Sequence, residues 1–137
     1  MTQFNFDFKQ SYKEITVAGE VFRVKFDDDS MLAYQIAFKD YEKKVAEAQS
    51  MVKDFEKATA EELQALSAKQ VEITKEALEL FLGEGTFEGL YEKAGRSSMN
   101  MVGLIDMLMK MVEEELLSQA GEVQNKYLNN VKQVVKK

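Results

Sequence analysis

Apolar residues recur along this chain with two different periods. Near the start they alternate. Phe4, Phe6 and Phe8 are separated by Asn5 and Asp7, which is the period of a short strand with one buried face. The alternation resumes over 14–26, where Ile15 and Val17 lead into Ala18 and Gly19, and Phe22, Val24 and Phe26 then share a face opposite Arg23 and Lys25. This predicts a β-hairpin whose turn takes its positive φ from Gly19. A lone hairpin is marginal in water, so it must lie against something.

Beyond Phe26 the period becomes helical. Met31, Tyr34, Phe38, Tyr41, Val45, Ala48, Val52 and Phe55 fall at alternating spacings of three and four, an unbroken seam that predicts a helix over 29–57. Left in water, each large side chain would forfeit roughly 1.5–3 kcal/mol, so the seam must be buried in this chain or against a copy of it. Asp27, Asp28, Asp29 and Ser30 precede the helix. They read as a cap that satisfies free N–H groups and suits the positive end of the dipole. They do not read as a calcium loop, because the position that would need glycine holds Leu32.

Thr59 to Glu62 has the capping-box pattern and opens a second helix with Leu63, Leu66, Ile73, Ala77 and Leu80 as its stripe. The short connection predicts that the two helices pack antiparallel. Gly83 and Gly85 then stop the second helix, since glycine takes the left-handed C-terminal position freely. Thr86 is placed to cap a short helix carrying Phe87, Leu90 and Tyr91. Ser97 or Ser98 caps a last, long helix. Met101, Leu104, Ile105, Leu108, Val112 and Leu116 form one face of it, widened by Met107, Met109 and Met111. Past Gly121 the pattern thins to Val123, Tyr127, Val131 and Val134.

The expected architecture is therefore mainly α with a small N-terminal β-hairpin, a helical hairpin or bundle of three to four helices in a single domain. Its parts are the hairpin region at 1–26, the helical hairpin at 29–82, a glycine-rich junction at 83–95 and a C-terminal helix with a basic tail at 97–137. The 137 residues suit one domain on the usual scale of roughly 100–200 residues.

Composition narrows the chemistry. There is no cysteine, histidine, tryptophan or proline. That removes disulfides, thiolate metal sites, thiol nucleophiles and the commonest neutral-pH proton shuttle, and it suits uninterrupted helices. The net charge of −6 opposes binding to phosphate backbones, so nucleic acid is not an expected partner. The charge is uneven: after residue 118 four lysines face one glutamate, leaving +3 in the tail and −9 before it. No apolar run reaches the ~18 residues of a membrane span, and the start lacks the basic and apolar regions of a signal peptide, so the expectation is a cytoplasmic protein without a membrane partner.

Candidate sites are few. Glu113, Glu114 and Glu115 read as a solvated face and not as a catalytic carboxylate pair. Gly83, Gly85 and Gly89 miss the GxGxxG spacing by one residue, with no strand before them. No catalytic residue, metal site or cofactor is expected. Five of the eight methionines lie over 99–111. They are either core or a pliable groove, because the unbranched thioether repacks around varied apolar partners.

The stretch FLGEGTFEGLYEKAG at 81–95, preceded by EALEL and followed by MNMVGLIDMLMKMVEEEL, resembles the tail assembly chaperones of long-tailed phages and prophages of Gram-positive bacteria. The front part, ITVAGEVFRVKFDDDSMLAYQIAFKDYEK, is similar to their usual start, so the resemblance covers 15–117. It implies a non-structural assembly factor of the host cytoplasm, absent from the mature virion, that does no covalent chemistry. Such a protein binds the tape measure protein, keeps it soluble, helps tail tube subunits polymerise around it and self-associates. A longer form made by frameshifting near the end of the short frame is typical, as is a gene lying between those for the tube and tape measure proteins. The expected partner surface joins the junction to the last helix: Phe81, Phe87, Leu90, Tyr91, Met99, Met101, Leu104, Ile105, Leu108, Met109 and Val112. A structural tail or head-completion protein, or a helical adaptor or regulator unrelated to phage, are the rival readings.

Overall fold

The computed structural model describes residues 3–135, with side chains described through residue 121. Two strands, β1 (Tyr12–Val17) and β2 (Glu20–Lys25), are followed by four helices: α1 (Asp28–Ser50), α2 (Ala60–Leu82), α3 (Phe87–Lys93) and α4 (Ser98–Val135). The mainly α architecture with a small antiparallel hairpin is as the periodicity predicts.

β1 and β2 pair in the register Ile15↔Phe22, with Val17↔Glu20 beside the turn. Ala18 and Gly19 both take positive φ, +50° and +86°, the two-residue turn whose twist matches that of the strands. Ile15, Val17, Phe22 and Val24 share the face that packs on the helices, and Val24 is fully buried. Two ion pairs set the hairpin's position: Lys93 Nζ to Glu20 at 2.7 Å and Lys13 Nζ to Glu115 at 3.6 Å. Surface pairs of this kind contribute ~0–1 kcal/mol, so they orient the hairpin while the apolar face holds it.

The predicted strand at Phe4, Phe6 and Phe8 is absent. Residues 3–10 have no regular structure, and the three rings are 92%, 78% and 89% exposed. Alternation over so few residues supplies no partner strand, and without one the backbone has nowhere to pair.

α1 opens where the aspartates predict. The Asp27 carboxylate accepts from the Ser30 amide at 3.1 Å and from its hydroxyl at 2.7 Å. The hydroxyl first, then the amide, hold the Asp27 carboxyl below its ordinary range, so the cap is present at neutral pH and is lost as acid titrates it. α1 stops at Ser50 and does not run on to 57. Past that point local bonds compete with the helix: Ser50 Oγ donates to Glu47 O at 2.7 Å, and Asp54 Oδ1 accepts from the Glu56 amide at 3.0 Å. Val52 still reaches the core from the connection, whereas Phe55, expected in the seam, is 67% exposed.

α2 begins under Thr59, whose hydroxyl accepts from Glu62 N at 3.1 Å. It packs antiparallel to α1. Tyr34 stacks on Phe81 at 4.9 Å at one end, Lys44 pairs with Glu76 at 2.6 Å in the middle, and Ala48 and Leu66 share a cluster at the other end. The bond to Glu76, then that to Asp40, raises the Lys44 pKa. The buried stripe of α2 differs from the predicted one. It runs Leu66, Ile73, Thr74, Leu78, Phe81 and Leu82, leaving Leu63 and Leu80 exposed. The reason is that α2 packs against α1, α4 and β2 at once, so its apolar face swings round along its length.

The main core gathers the inner face of the hairpin, the start of α1, the end of α2, α3, and Met101, Ile105, Leu108 and Val112 of α4. A second cluster of Ala48, Val52, Leu66 and Ile73 fills the far end of the α1–α2 pair. α4 has 38 residues against 23 in α1 and in α2, about 57 Å against about 35 Å at 1.5 Å per residue. Among the described side chains, Leu116 is the last on α4 that packs on the core. The predicted apolar positions Val123, Tyr127, Val131 and Val134 lie outside the described side chains, although the helix itself continues through them.

Candidate partner-binding surface

The glycine-rich junction is a folded clamp. Gly83 ends α2 at φ +110° with its N–H bonded to Glu79 O at 2.9 Å. The chain then turns back, and the Glu79 side chain reaches over the turn: its Oε2 accepts from Gly85 N at 2.9 Å and from Phe87 N at 3.3 Å. A carboxylate from the preceding helix therefore satisfies free N–H groups at the start of α3. Thr86 does not cap α3 as expected. Its hydroxyl donates to Gly83 O at 2.7 Å and closes the turn instead.

α3 leaves through Gly95 and Arg96, both at positive φ, with Arg96 N bonded to Tyr91 O at 2.8 Å. The Arg96 guanidinium pairs with Glu92 and lies over the Tyr91 ring at 5.0 Å. Ser97 then starts α4, accepting from Asn100 N at 3.3 Å.

One consequence is measurable. Glu79→Ala leaves two N–H groups at the start of α3 without their acceptor, an expected loss of about 1 kcal/mol and a fall in Tm of roughly 3–6 °C for a chain of this size. Glu79→Gln keeps an acceptor oxygen and is expected to lose less than half of that. Thermal denaturation by circular dichroism measures both, and equal losses would show that the bonds to Gly85 and Phe87 do not matter.

The clamp places the eleven residues expected to face a partner, and most of them face inward. Phe81, Phe87, Leu90, Met101, Ile105, Leu108 and Val112 are buried in the chain's own core. Tyr91, Leu104 and Met109 are half-buried against it. Met99 alone stands out, at 78% exposed. Helical spacing marks the apolar face of α4 correctly but does not say what covers it; here α2, α3 and the hairpin do.

What remains open lies elsewhere. Met99, Met107 and Leu117 are exposed on the outward side of α4, among Asp106, Glu113 and Glu114. Between the α1–α2 pair and the start of α4 runs a groove of about 400 Å³, walled by Tyr41, Val45, Ile73 and Val102 and bordered by Met99, with Gln49 and Gln70 among its lining. Burial first, then the charge of Asp106, pushes the Tyr41 phenol up. The buried Thr74 hydroxyl on this wall is satisfied by Gln70 O at 2.6 Å. Among the described residues, no buried side-chain N or O lacks a partner, and no three or more of His, Cys, Asp and Glu gather as metal ligands. Nor is any described helix long and apolar enough to cross a membrane.

Sequence reasoning missed both the groove and Glu79. The usual capping signal is read within one turn of the helix start, whereas Glu79 reaches from the previous helix, eight residues before Phe87. No family model, curated protein or solved structure matches the chain.

Proposed function

We propose that the chain is an assembly chaperone of the phage-tail kind, which holds the apolar helical segments of a tape measure protein in solution until tail tube subunits polymerise around them. The observation that carries this reading is the outward side of α4, where Met99, Met107 and Leu117 are exposed between Asp106, Glu113 and Glu114. Methionine adapts to many apolar shapes, and the acidic neighbours, with a net charge of −6 for the whole chain, keep a loaded complex dispersed. The resemblance at 81–95 supports the same reading. No covalent step is part of it, and no cofactor is required.

The proposed surface is the outward side of α4 and not the inward face marked by periodicity, because the inward face is already occupied by the chain's own core. Co-expression with a tape measure protein encoded beside this chain tests the reading. The soluble fraction of that protein is expected to rise severalfold, and an unchanged fraction would remove the proposal.

A further inference from the structure

The segment before the hairpin carries three phenylalanines at alternate positions, Phe4, Phe6 and Phe8, all facing water; Phe6 and Phe8 meet only edge to face, at 5.0 Å. The α1–α2–α4 groove offers the matching chemistry. Tyr41, Val45, Ile73 and Val102 supply apolar walls, and the amides of Gln49 and Gln70 can bond an extended backbone. We infer that the phenylalanine arm of one copy docks in this groove on a second copy. The inference stands independently of the chaperone reading.

Chain length excludes the arm's own groove. The arm leaves the hairpin at Ser11, whose carbonyl accepts from Phe26 N at 2.6 Å, so it starts beside the beginning of α1. The part of the groove on α1 runs from Tyr41 to Gln49, about 20–32 Å along the axis from Asp28 at 1.5 Å per residue. At no more than ~3.6 Å per residue, Phe8 reaches about 11 Å from Ser11, Phe6 about 18 Å and Phe4 about 25 Å. Phe8 stops well short of the near end, so all three rings can enter a groove only on another molecule.

The area involved suits a second copy. Phenylalanines bury ~150–250 Å² each, so two arms exchanged reciprocally remove about 900–1,500 Å² of arm surface from water. With the groove walls added, this reaches the ~1,200 Å² at which specific interfaces begin. Reciprocal exchange closes a dimer, because the same two patches meet twice.

The test uses the full chain and its lack of cysteine. Asn5→Cys and Gln70→Cys, made on separate molecules and mixed under mild oxidation, are expected to give a disulfide-linked pair of twice the 15.7 kDa chain mass. Adding Phe4→Ser, Phe6→Ser and Phe8→Ser to the first variant is expected to cut the yield of that pair at least tenfold. Since these rings are outside the core, the circular dichroism spectrum should not change, and the melt should fall only by what dimer formation contributes through mass action. By light scattering the unmodified chain is expected to be a dimer, and the triple serine variant a monomer. A strictly monomeric unmodified chain, a cross-link indifferent to the serines, or an oligomer that survives them would each overturn the inference. The last would mean that copies, or other proteins, meet through a different surface.

Discussion

Phe87→Ala is expected to cost about 3–5 kcal/mol, the range for removing a buried aromatic ring. Phe87 is 1% exposed, stacks on Tyr91 at 4.9 Å and lies in the main core. Its helix, α3, has seven residues, too few to hold a helix by itself in water, so α3 exists because Phe87 and Leu90 are anchored between its neighbours. Set against a total stability of ~5–15 kcal/mol, the loss is a large fraction of what keeps the chain folded. Urea denaturation should show a much lower midpoint. A cost below about 1 kcal/mol would mean that α3 is not fastened by this ring.

Gly83→Ala is the second large effect, with a different origin. A Cβ added at Gly83 meets no atom within 4 Å, so crowding contributes nothing. The backbone there has φ +110° and ψ 156°, a region open in practice only to glycine, and holding another residue in it costs about 1–3 kcal/mol. Relief of that strain would rotate the turn and pull Gly85 and Phe87 away from the Glu79 carboxylate, adding the loss of the clamp. Gly89→Ala is the control. Gly89 lies inside α3 without a positive φ, and its Cβ would also meet open space. This substitution is expected to stabilise by ~0.4–1 kcal/mol. Two glycine-to-alanine changes six residues apart should thus move stability in opposite directions; movement in the same direction would contradict the conformational argument.

Legibility from sequence varies along the chain with how local the deciding interaction is. The hairpin, the Asp27 cap, the Thr59 cap and the stop at Gly83 depend on bonds within a few residues, and each was readable. The end of α1 was not. The three-and-four spacing runs on through Val52 and Phe55, but Ser50 and Asp54 draw the backbone into local bonds before the pattern ends. Periodicity also located the inward face of α4 at Met101, Ile105, Leu108 and Val112, since those positions are at most 2% exposed. It could not tell a face that meets its own fold from one that meets another protein, because both need the same residues at the same spacing. The Glu79 clamp and the groove arise only when segments distant in sequence come together, and no local pattern encodes either.

This division bears on function. The resemblance at 81–95 points to a chaperone, and within that stretch the chain uses Phe81, Phe87 and Leu90 to close its own core. Any partner must therefore meet what is left outside: the outward side of α4 for a foreign helix, and the phenylalanine arm with its groove for a second copy. Met99 borders the groove as well as the outward side, so the two surfaces are told apart by substitution at Met107 and Leu117 for the one and at Phe4, Phe6 and Phe8 for the other.

The most direct measurement is the soluble fraction of the tape measure polypeptide made together with this chain or with its variant Met107→Glu, Leu117→Glu, which leaves the groove residue Met99 in place. Both side chains are exposed, so the variant is expected to fold and melt as the unmodified chain does. The unmodified chain is expected to keep most of the polypeptide in the supernatant, and the variant to leave it in the pellet. Equal soluble fractions with both chains would contradict the chaperone reading.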